Sequence, residues 1–283
     1  MRIARSIGEL RDEVARWRRE GARTGLVPTM GALHEGHLAL VERAKAECGR
    51  TIASIFVNPK QFAPNEDFAA YPRGEAADLE KLRETGVDVA FLPTVAEIYP
   101  EGFSTLVRVG GLSEGLCGAG RPGHFDGVAT VVTKLLLQSR PDAAYFGEKD
   151  YQQLLIVRRL ARDLDIPTVI VGVPTRREPD GLAMSSRNLY LSPEERRAVP
   201  ELARVLRQIA AALAREPGAV AREVARGLDE LKTAGFAVEY LELRDAATLA
   251  PVPREVRRPA RILVAARLAR TRLIDNWPVE PPP

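Results

Sequence analysis

The stretch Leu26-Val27-Pro28-Thr29-Met30-Gly31-Ala32-Leu33-His34-Glu35-Gly36-His37-Leu38 constrains the fold more than any other part of the chain. It begins apolar, breaks at glycine, and then carries two histidines three residues apart. Leu26 to Met30 reads as a short buried strand, and His37 to Ala46 as a helix with Leu38, Val41 and Ala44 along one side. Thr51 to Val57 supplies the next strand, completing a βαβ unit. The first loop of such a unit lies at the carboxyl end of the sheet, where ligands bind. The helix that follows is expected to offer free N–H groups and a positive dipole end to an anion. Two imidazoles added there suit phosphate, and most naturally a nucleoside triphosphate. One loop histidine carries little information, but the chain has three and two of them sit in this turn. A zinc site fails on spacing, because the metalloprotease helix needs His-Glu-x-x-His and here the gap is shorter and interrupted by Gly36.

The same alternation continues on either side. Met1 to Ala4 has strand character, and Ser6-Ile7-Gly8-Glu9 has the form of a capping box opening a helix to Glu20, closed by Gly21. After the strand ending at Val57 comes Asn58-Pro59-Lys60-Gln61-Phe62. Asn58 and Gln61 are neutral groups suited to hydroxyls and a carboxylate, although a capped loop would use them too. Asp78 opens or sits early in a helix to Glu84, Gly86 ends it, and Val87 to Leu92 is a third strand. Arg121, before the apolar helix Val128 to Leu137, stands where an anion would be welcome, though a structural turn would use the same neighbouring glycines. Ala143 to Phe146 is a strand, and Gly147-Glu148-Lys149-Asp150-Tyr151-Gln152-Gln153 turns into a helix from Leu154 to Asp163. Gly147 lets backbone approach a ligand, Lys149 is a point charge for phosphate, and Gln153 follows about one turn later. Thr168 to Val173 is another parallel strand. In the Gly-containing loop Arg176 to Asn188, the hydroxyls of Ser185 and Ser186 with Arg187 can hold phosphate oxygens, although a plain Ser-rich turn would use the same residues.

Ser192-Pro193-Glu194-Glu195 starts a helix expected to run to about Arg215, where Pro217-Gly218 breaks it, and a second helix runs to about Thr233. Phe236 to Leu243 and Arg261 to Leu268 read as half-exposed strands, Thr271 to Asp275 as a last strand, and Pro281 to Pro283 as a loose tail. The fold class is therefore α/β. Residues 1–175 are expected to form a Rossmann-like, doubly wound parallel sheet without the Gly-x-Gly-x-x-Gly fingerprint, and residues 176–283 a smaller α+β lid domain. At 45% hydrophobic, 28% charged and net +3, the composition is that of an ordinary soluble protein. Arginine makes up 35 of the 41 basic residues but is scattered, so no nucleic-acid surface is indicated. Cys48 and Cys117 have no metal or redox spacing. The N-terminus is charged from Arg2 and lacks a signal core, and no run approaches the roughly 18 apolar residues of a membrane span, so a cytoplasmic protein is expected.

The histidine turn resembles the His-x-Gly-His signature of the nucleotidyltransferase superfamily, which includes class I aminoacyl-tRNA synthetases and cytidylyltransferases. The full string Pro28 to His37 is similar to that of the pantothenate synthetase family (pantoate–β-alanine ligases), and four further segments resemble that family in its order: Asn58 to Phe62 with Tyr71-Pro72-Arg73, Arg121 to Phe125, Gly147 to Gln153, and Met184 to Arg187. The last is similar to the mobile Lys-Met-Ser-Lys-Ser loop of the synthetases, with Ala183 in place of the first lysine and Lys149 supplying an ammonium from another strand. The resemblance implies ATP as co-substrate, Mg2+, a pantoyl-adenylate intermediate, and a homodimer. It implies that Met30, Gly31, Ala32, Leu33, His34, Glu35, Gly36 and His37 bind ATP, with Gly147, Glu148, Lys149, Asp150, Arg176, Met184, Ser185, Ser186 and Arg187. Within that set His34 and His37 contact the triphosphate, His37 as proton donor; Lys149 bridges phosphates; Ser185, Ser186 and Arg187 gather the pyrophosphate end; Asp150 lies at the ribose; and Arg176 meets adenine through backbone. It further implies that Gln61 and Gln153 hold pantoate, with Asn58, Tyr71 and Arg121 completing the site for pantoate and β-alanine, and that Asp78 helps hold magnesium, where the residues alone read nearly as well as a solvated helix face. The alternative within the superfamily is transfer of AMP or CMP to another small acceptor.

Overall fold

The computed structural model describes residues 1–64 and 66–281, so Pro282 and Pro283 of the expected loose tail lie outside the described residues. The chain alternates strand and helix from its start: β1 (Arg2–Ala4), α1 (Ile7–Arg19), β2 (Thr24–Thr29), α2 (Glu35–Glu47), β3 (Arg50–Ile55), α3 (Glu75–Thr85) and β4 (Val89–Phe91). Short helices α4 (Val95–Ile98) and α5 (Cys117–Gly120) precede α6 (His124–Ser139), β5 (Ala143–Gly147), α7 (Tyr151–Asp163) and β6 (Val169–Val173). The capping box read from sequence forms: Ser6 Oγ accepts the Glu9 N–H at 3.2 Å, and the Glu9 carboxylate accepts the Ser6 N–H at 3.1 Å. Gly86, at φ +78, ends α3 in the left-handed conformation that glycine adopts without a Cβ penalty.

The six strands form one sheet in the order β1-β4-β3-β2-β5-β6, and every pairing is parallel. The chain winds from β2 through β3 and β4 in one direction and through β5 and β6 in the other. The reversal falls between β2 and β5, which pair Gly25 with Ala143 and Leu26 with Ala144. A crevice beyond the carboxyl ends of the strands at such a reversal is the ligand site of open α/β sheets. β2 ends there on the turn carrying His34, and β5 on Gly147 and Glu148. Val27, Ala53, Ala90 and Tyr145 on the sheet pack with Leu40, Val41 and Ala44 of α2 and Leu82 of α3. Burial of these apolar side chains on a sheet face is the dominant favourable contribution to such a layer.

Contacts divide the chain into two units: Met1–Glu148 with Ile156–Pro174, and Lys149–Leu155 with the residues from Thr175 onward. The second unit contains α8 (Pro193–Ala198), α9 (Glu201–Arg215), α10 (Val220–Thr233) and an antiparallel sheet of β7 (Ala237–Asp245), β8 (Ala260–Leu268) and β9 (Thr271–Val279). Leu202, Val205, Leu206, Ile209 and Leu213 of α9 pack with Ile262, Val264 and Ala266 of β8. The helix expected to run unbroken from Ser192 to Arg215 is two helices. Pro200, which has no N–H to donate, stands at the N-cap of α9 and ends the first of them. The last strand runs past Asp275 to Val279, paired with β8 throughout. Among the described residues no helix is long and apolar enough to cross a membrane.

Candidate active site

The turn after β2 is built by hydrogen bonds that consume its own N–H groups. Gly31 N–H donates to Thr29 Oγ1 (3.3 Å), Ala32 N–H to Asp78 Oδ2 (2.8 Å) and Leu33 N–H to Asp78 Oδ1 (2.8 Å). His34 N–H donates to His37 Nδ1 (3.3 Å), and Gly36 N–H to His34 Nδ1 (3.1 Å). His34 and His37 thus form a capping box, each ring accepting a backbone N–H as a serine and a glutamate do elsewhere. These five N–H groups are satisfied from within the chain, which narrows the expectation of free N–H groups at the helix entrance. Gly31, Ala32 and Leu33 shape the turn, and the donors suited to phosphate are the imidazoles. A ring that accepts at Nδ1 carries its proton on Nε2 when neutral. The two ring centroids lie 4.1 Å apart, with their planes 42° from parallel. Met30 and Gly36 are half-buried and Glu35 is exposed.

Asp78 is 3% exposed, so the solvated-face reading is corrected. Its carboxylate faces the turn, and Lys81, one turn further along α3, donates to the Leu33 carbonyl at 2.6 Å. Nothing local in the sequence signals this partnership, because Asp78 meets residues more than forty positions away.

Gln61 sits at the end of a 3-10 turn (Pro59–Gln61) that follows β3. Its Oε1 accepts from Asn58 Nδ2 at 3.0 Å, and its Nε2 donates to the Met30 sulfur at 3.1 Å. One amide N–H and one lone pair of Gln61 then remain for a ligand. Asn58 is different. Its Nδ2 also donates to the Gly127 carbonyl (3.0 Å), and its Oδ1 accepts from Tyr99 Oη (2.8 Å) and the Lys60 N–H (3.3 Å). All four of its hydrogen bonds are made inside the protein, and it is 1% exposed. The Asn58 side chain is therefore fully used within the chain, and it holds the Gln61 amide in place. Burial pushes the Tyr99 phenol above its ordinary range, which keeps that donor protonated.

Arg121 is likewise engaged, against the expectation of an anion site. Its guanidinium forks onto Glu66 (Nε to Oε1 2.6 Å, Nη2 to Oε2 2.7 Å) and reaches the Gln61 carbonyl at 3.3 Å. His124 Nδ1 lies 2.8 Å from that same carbonyl and so carries the proton, leaving Nε2 to accept from Arg121 Nη1 at 2.9 Å. Burial acts to raise the Glu66 carboxyl, but the hydrogen bonds and charge of Arg121 outweigh it and hold the group below its ordinary value. Tyr71 is buried, its ring edge-on to Phe62 at 5.9 Å. The structure thus brings Gln61, Asn58, Arg121 and His124 into one network, centred on Gln61.

In the second unit Lys149 stands in the 3-10 turn Glu148–Asp150 that leads into α7, its Nζ 3.9 Å from Asp150 Oδ2. The Lys149 carbonyl accepts from Asn276 Nδ2 at 2.9 Å. Asp150 is exposed, Gln152 buried and Gln153 half-buried. Arg176 is exposed, and its carbonyl accepts the Met184 N–H at 3.0 Å. Ser185 caps a 3-10 turn over Ser186–Tyr190, accepting the Arg187 N–H at 3.3 Å. Asn188 Nδ2 ties this segment to Glu178 Oε1 and the Ala183 carbonyl, each at 3.2 Å. Behind it Arg177 forks onto Asp275 (2.7 and 2.9 Å), reaches the Gly181 carbonyl (3.0 Å) and stacks over Trp277. Arg177, Asp275 and Asn276 were not singled out from sequence. The signal available was a polar Asp275-Asn276 pair set between the apolar Leu273-Ile274 and Trp277.

A magnesium ion fits these residues only as a companion of phosphate. Among the described residues no group of three or more His, Cys, Asp or Glu could hold a metal. Mg2+ commonly keeps several waters and binds through one or two carboxylates plus substrate phosphates.

Residues 2–278 match the family model for pantoate-beta-alanine ligase. The chain belongs to that family. A pantothenate synthetase of Paramagnetospirillum magneticum is 59% identical over 280 residues, spanning 99% of this chain and 98% of that protein. The crystal structure of pantothenate synthetase from Thermus thermophilus superposes with a TM-score of 0.94 at 50% identity, covering 99% of this chain and 100% of that one. The pantoate-beta-alanine ligase of Francisella tularensis, solved with beta-gamma ATP and beta-alanine, gives 0.81 at 34% identity, covering 98% and 97%. The pantoate–β-alanine ligase family joins a carboxylic acid to an amine, and transfer of AMP or CMP to another acceptor is not favoured for this member. The histidine capping box and the Gln61 network are thus features of a ligase.

Proposed function

We propose that the chain forms pantothenate from pantoate, β-alanine and ATP through pantoyl adenylate. Oxide is a poor leaving group, so a carboxylate must be activated before an amine can displace anything from it. A pantoate carboxylate oxygen attacks the α-phosphorus of ATP, and the bond to the bridging oxygen breaks to release pyrophosphate. The β-alanine nitrogen then attacks the acyl carbon, AMP departs with the carboxylate-derived oxygen, and the ammonium loses a proton. No covalent enzyme nucleophile is needed; the residues must align the reactants and stabilise developing phosphate charge.

The observation that carries this reading is the histidine capping box at the sheet reversal, with Nε2 the protonated nitrogen of each neutral ring. His34 and His37 donate to the triphosphate, His37 supplying a proton to the departing side. Gln61 holds pantoate through its remaining amide capacity, and Gln153 assists. Lys149 bridges phosphates, and Ser185, Ser186 and Arg187 receive the pyrophosphate end, the Met184–Asn188 loop ordering on the bound phosphates. Asp150 serves the ribose. Bound Mg2+ would offset charge on the phosphate oxygens. The family resemblance further supports a cytoplasmic homodimer, which sedimentation of the purified protein would read.

The test is isotopic exchange between pyrophosphate and ATP in the presence of Mg2+ and pantoate, without β-alanine. Pantoate-dependent exchange is expected, followed by AMP and pantothenate when β-alanine is added. Exchange supported by other acceptors but not pantoate would overturn the substrate. If no exchange occurs, product analysis with all three substrates decides between trapped pyrophosphate and a wrong reaction.

A further inference from the structure

We infer that Asp78 and Lys81 are a positioning pair that sets the path of the histidine turn, and that the Asp78 carboxylate is occupied by backbone N–H groups rather than by a metal ion. Successive left-handed residues, Gly31 at φ +84 and Ala32 at φ +50, turn consecutive N–H groups into one anion-binding concavity. The anion in it is Asp78, each oxygen 2.8 Å from a backbone nitrogen. The fit depends on glycine: a Cβ on Gly31 would stand 2.9 Å from Asp78 Oδ2 and 3.2 Å from Ile55 Cγ2. Lys81 takes the Leu33 carbonyl from the same helix at 2.6 Å. The residue immediately before the His34 cap is therefore pinned at both its N–H and its C=O. A left-handed alanine persists where its surroundings over-determine it, and this pair does so. A carboxylate 3% exposed, with an ammonium one helical turn away, leaves little room for a hydrated Mg2+.

The activity arm of the test rests on the adenylation reading, whereas the spectroscopic arm does not. The chain has three histidines, and the structure gives two rings the Nε2–H form and His124 the Nδ1–H form, so 15N–1H imidazole spectra of the whole protein distinguish them. In Asp78→Asn one oxygen remains, while the amide turns an N–H toward a backbone N–H. The two Nε2–H rings should lose their single-tautomer pattern while His124 keeps its own. Pantoate-dependent exchange should fall about 100-fold, as misplacement of catalytic groups by about an ångström does, with the Mg2+ concentration for half-maximal exchange unchanged. Unchanged imidazole spectra would overturn the proposal, and a tenfold rise in the Mg2+ requirement alongside them would restore the metal role. If Asp78→Asn does not fold, Lys81→Met, at a half-buried position, carries the same spectroscopic test: His34 and His37 should shift, and unchanged spectra overturn the pair. A wild-type protein without exchange would refute the adenylation reading and leave the imidazole result standing.

Discussion

The two histidines of the turn each have two tasks, and substitution can separate them. Nδ1 caps a helix; Nε2 carries the proton that the proposed chemistry uses. Asparagine is among the best N-cap residues, and glutamine at the third helical position completes a capping box. His34→Asn and His37→Gln should therefore unfold within about 1 kcal/mol of the parent in denaturant titrations. Exchange should nonetheless fall by roughly 100-fold or more in each, since the imidazole proton is gone. A His37→Gln protein that exchanged normally would remove the imidazole from the mechanism. The motif was legible because it is local: strand, glycine and histidines adjoin in sequence. Its supports were not, because Asp78 lies more than forty residues away and a buried acid looks like any helix-surface acid in a string. The partner of Arg121 was hidden for the same reason, Glu66 being far off in sequence. That pair has a pH signature. The Glu66 carboxyl sits below its ordinary value of 4.5 in the folded protein, so its contribution is complete above that value. It is lost as pH falls through the lower folded value, because the unfolded chain takes up the proton first. Glu66→Gln should flatten this part of the acid limb of a melting-temperature profile, and an unchanged limb would show that the fork contributes nothing.

Helix α6 approaches the Gln61 turn so closely that one position tolerates only hydrogen. A Cβ on Gly127 would lie 2.2 Å from the Lys60 carbonyl oxygen and 2.7 Å from the Gln61 nitrogen. Neither is a flexible side-chain end, so the helix or the turn must move. Alanine is the better helix former by about 1 kcal/mol, which would favour Gly127→Ala on propensity alone. Overpacking a well-filled contact costs about 1–3 kcal/mol, and the contact should win. The expected outcome is a lower unfolding midpoint together with a raised KM for pantoate, since Asn58 holds both Gln61 and the Gly127 carbonyl. A change in stability without a change in KM would uncouple the contact from the site. At this scale the sequence showed the periodicity of α6 but not its contact, which is a property of two surfaces. Pro200 in the string is the signal for the break between α8 and α9, but the amphipathic pattern on both sides concealed it.

Across the whole molecule, the residues given roles fall in both contact units: the histidine turn and Gln61 in the first, Lys149, Gln153 and Ser185 to Arg187 in the second. α7 is one continuous helix whose first residues group with the second unit and whose later residues group with the first. A division by position along the chain cannot express that, because contacts and not order define a unit. The two sets of residues should respond differently to ligand. In the histidine turn the N–H groups of Gly31 to His34 and of Gly36 are already paired with side chains, so ATP and pantoate can add little to their protection. The Ser185 segment is tied through Asn188 and the Met184 N–H, and local opening of such a surface segment is what ligand binding can suppress. Ligands bound at its serines and Arg187 stabilise the closed form in proportion to their occupancy. Hydrogen exchange with ATP, Mg2+ and pantoate should therefore slow sharply at Met184–Asn188 and hardly change at Gly31–His34 and Gly36. Lys149→Ala should diminish that slowing if the lysine helps hold the same phosphates, while leaving pantoate affinity nearly intact. Equal exchange with and without ligands at Met184–Asn188 would remove Ser185, Ser186 and Arg187 from phosphate binding and leave the histidines and Gln61 as the core of the assignment.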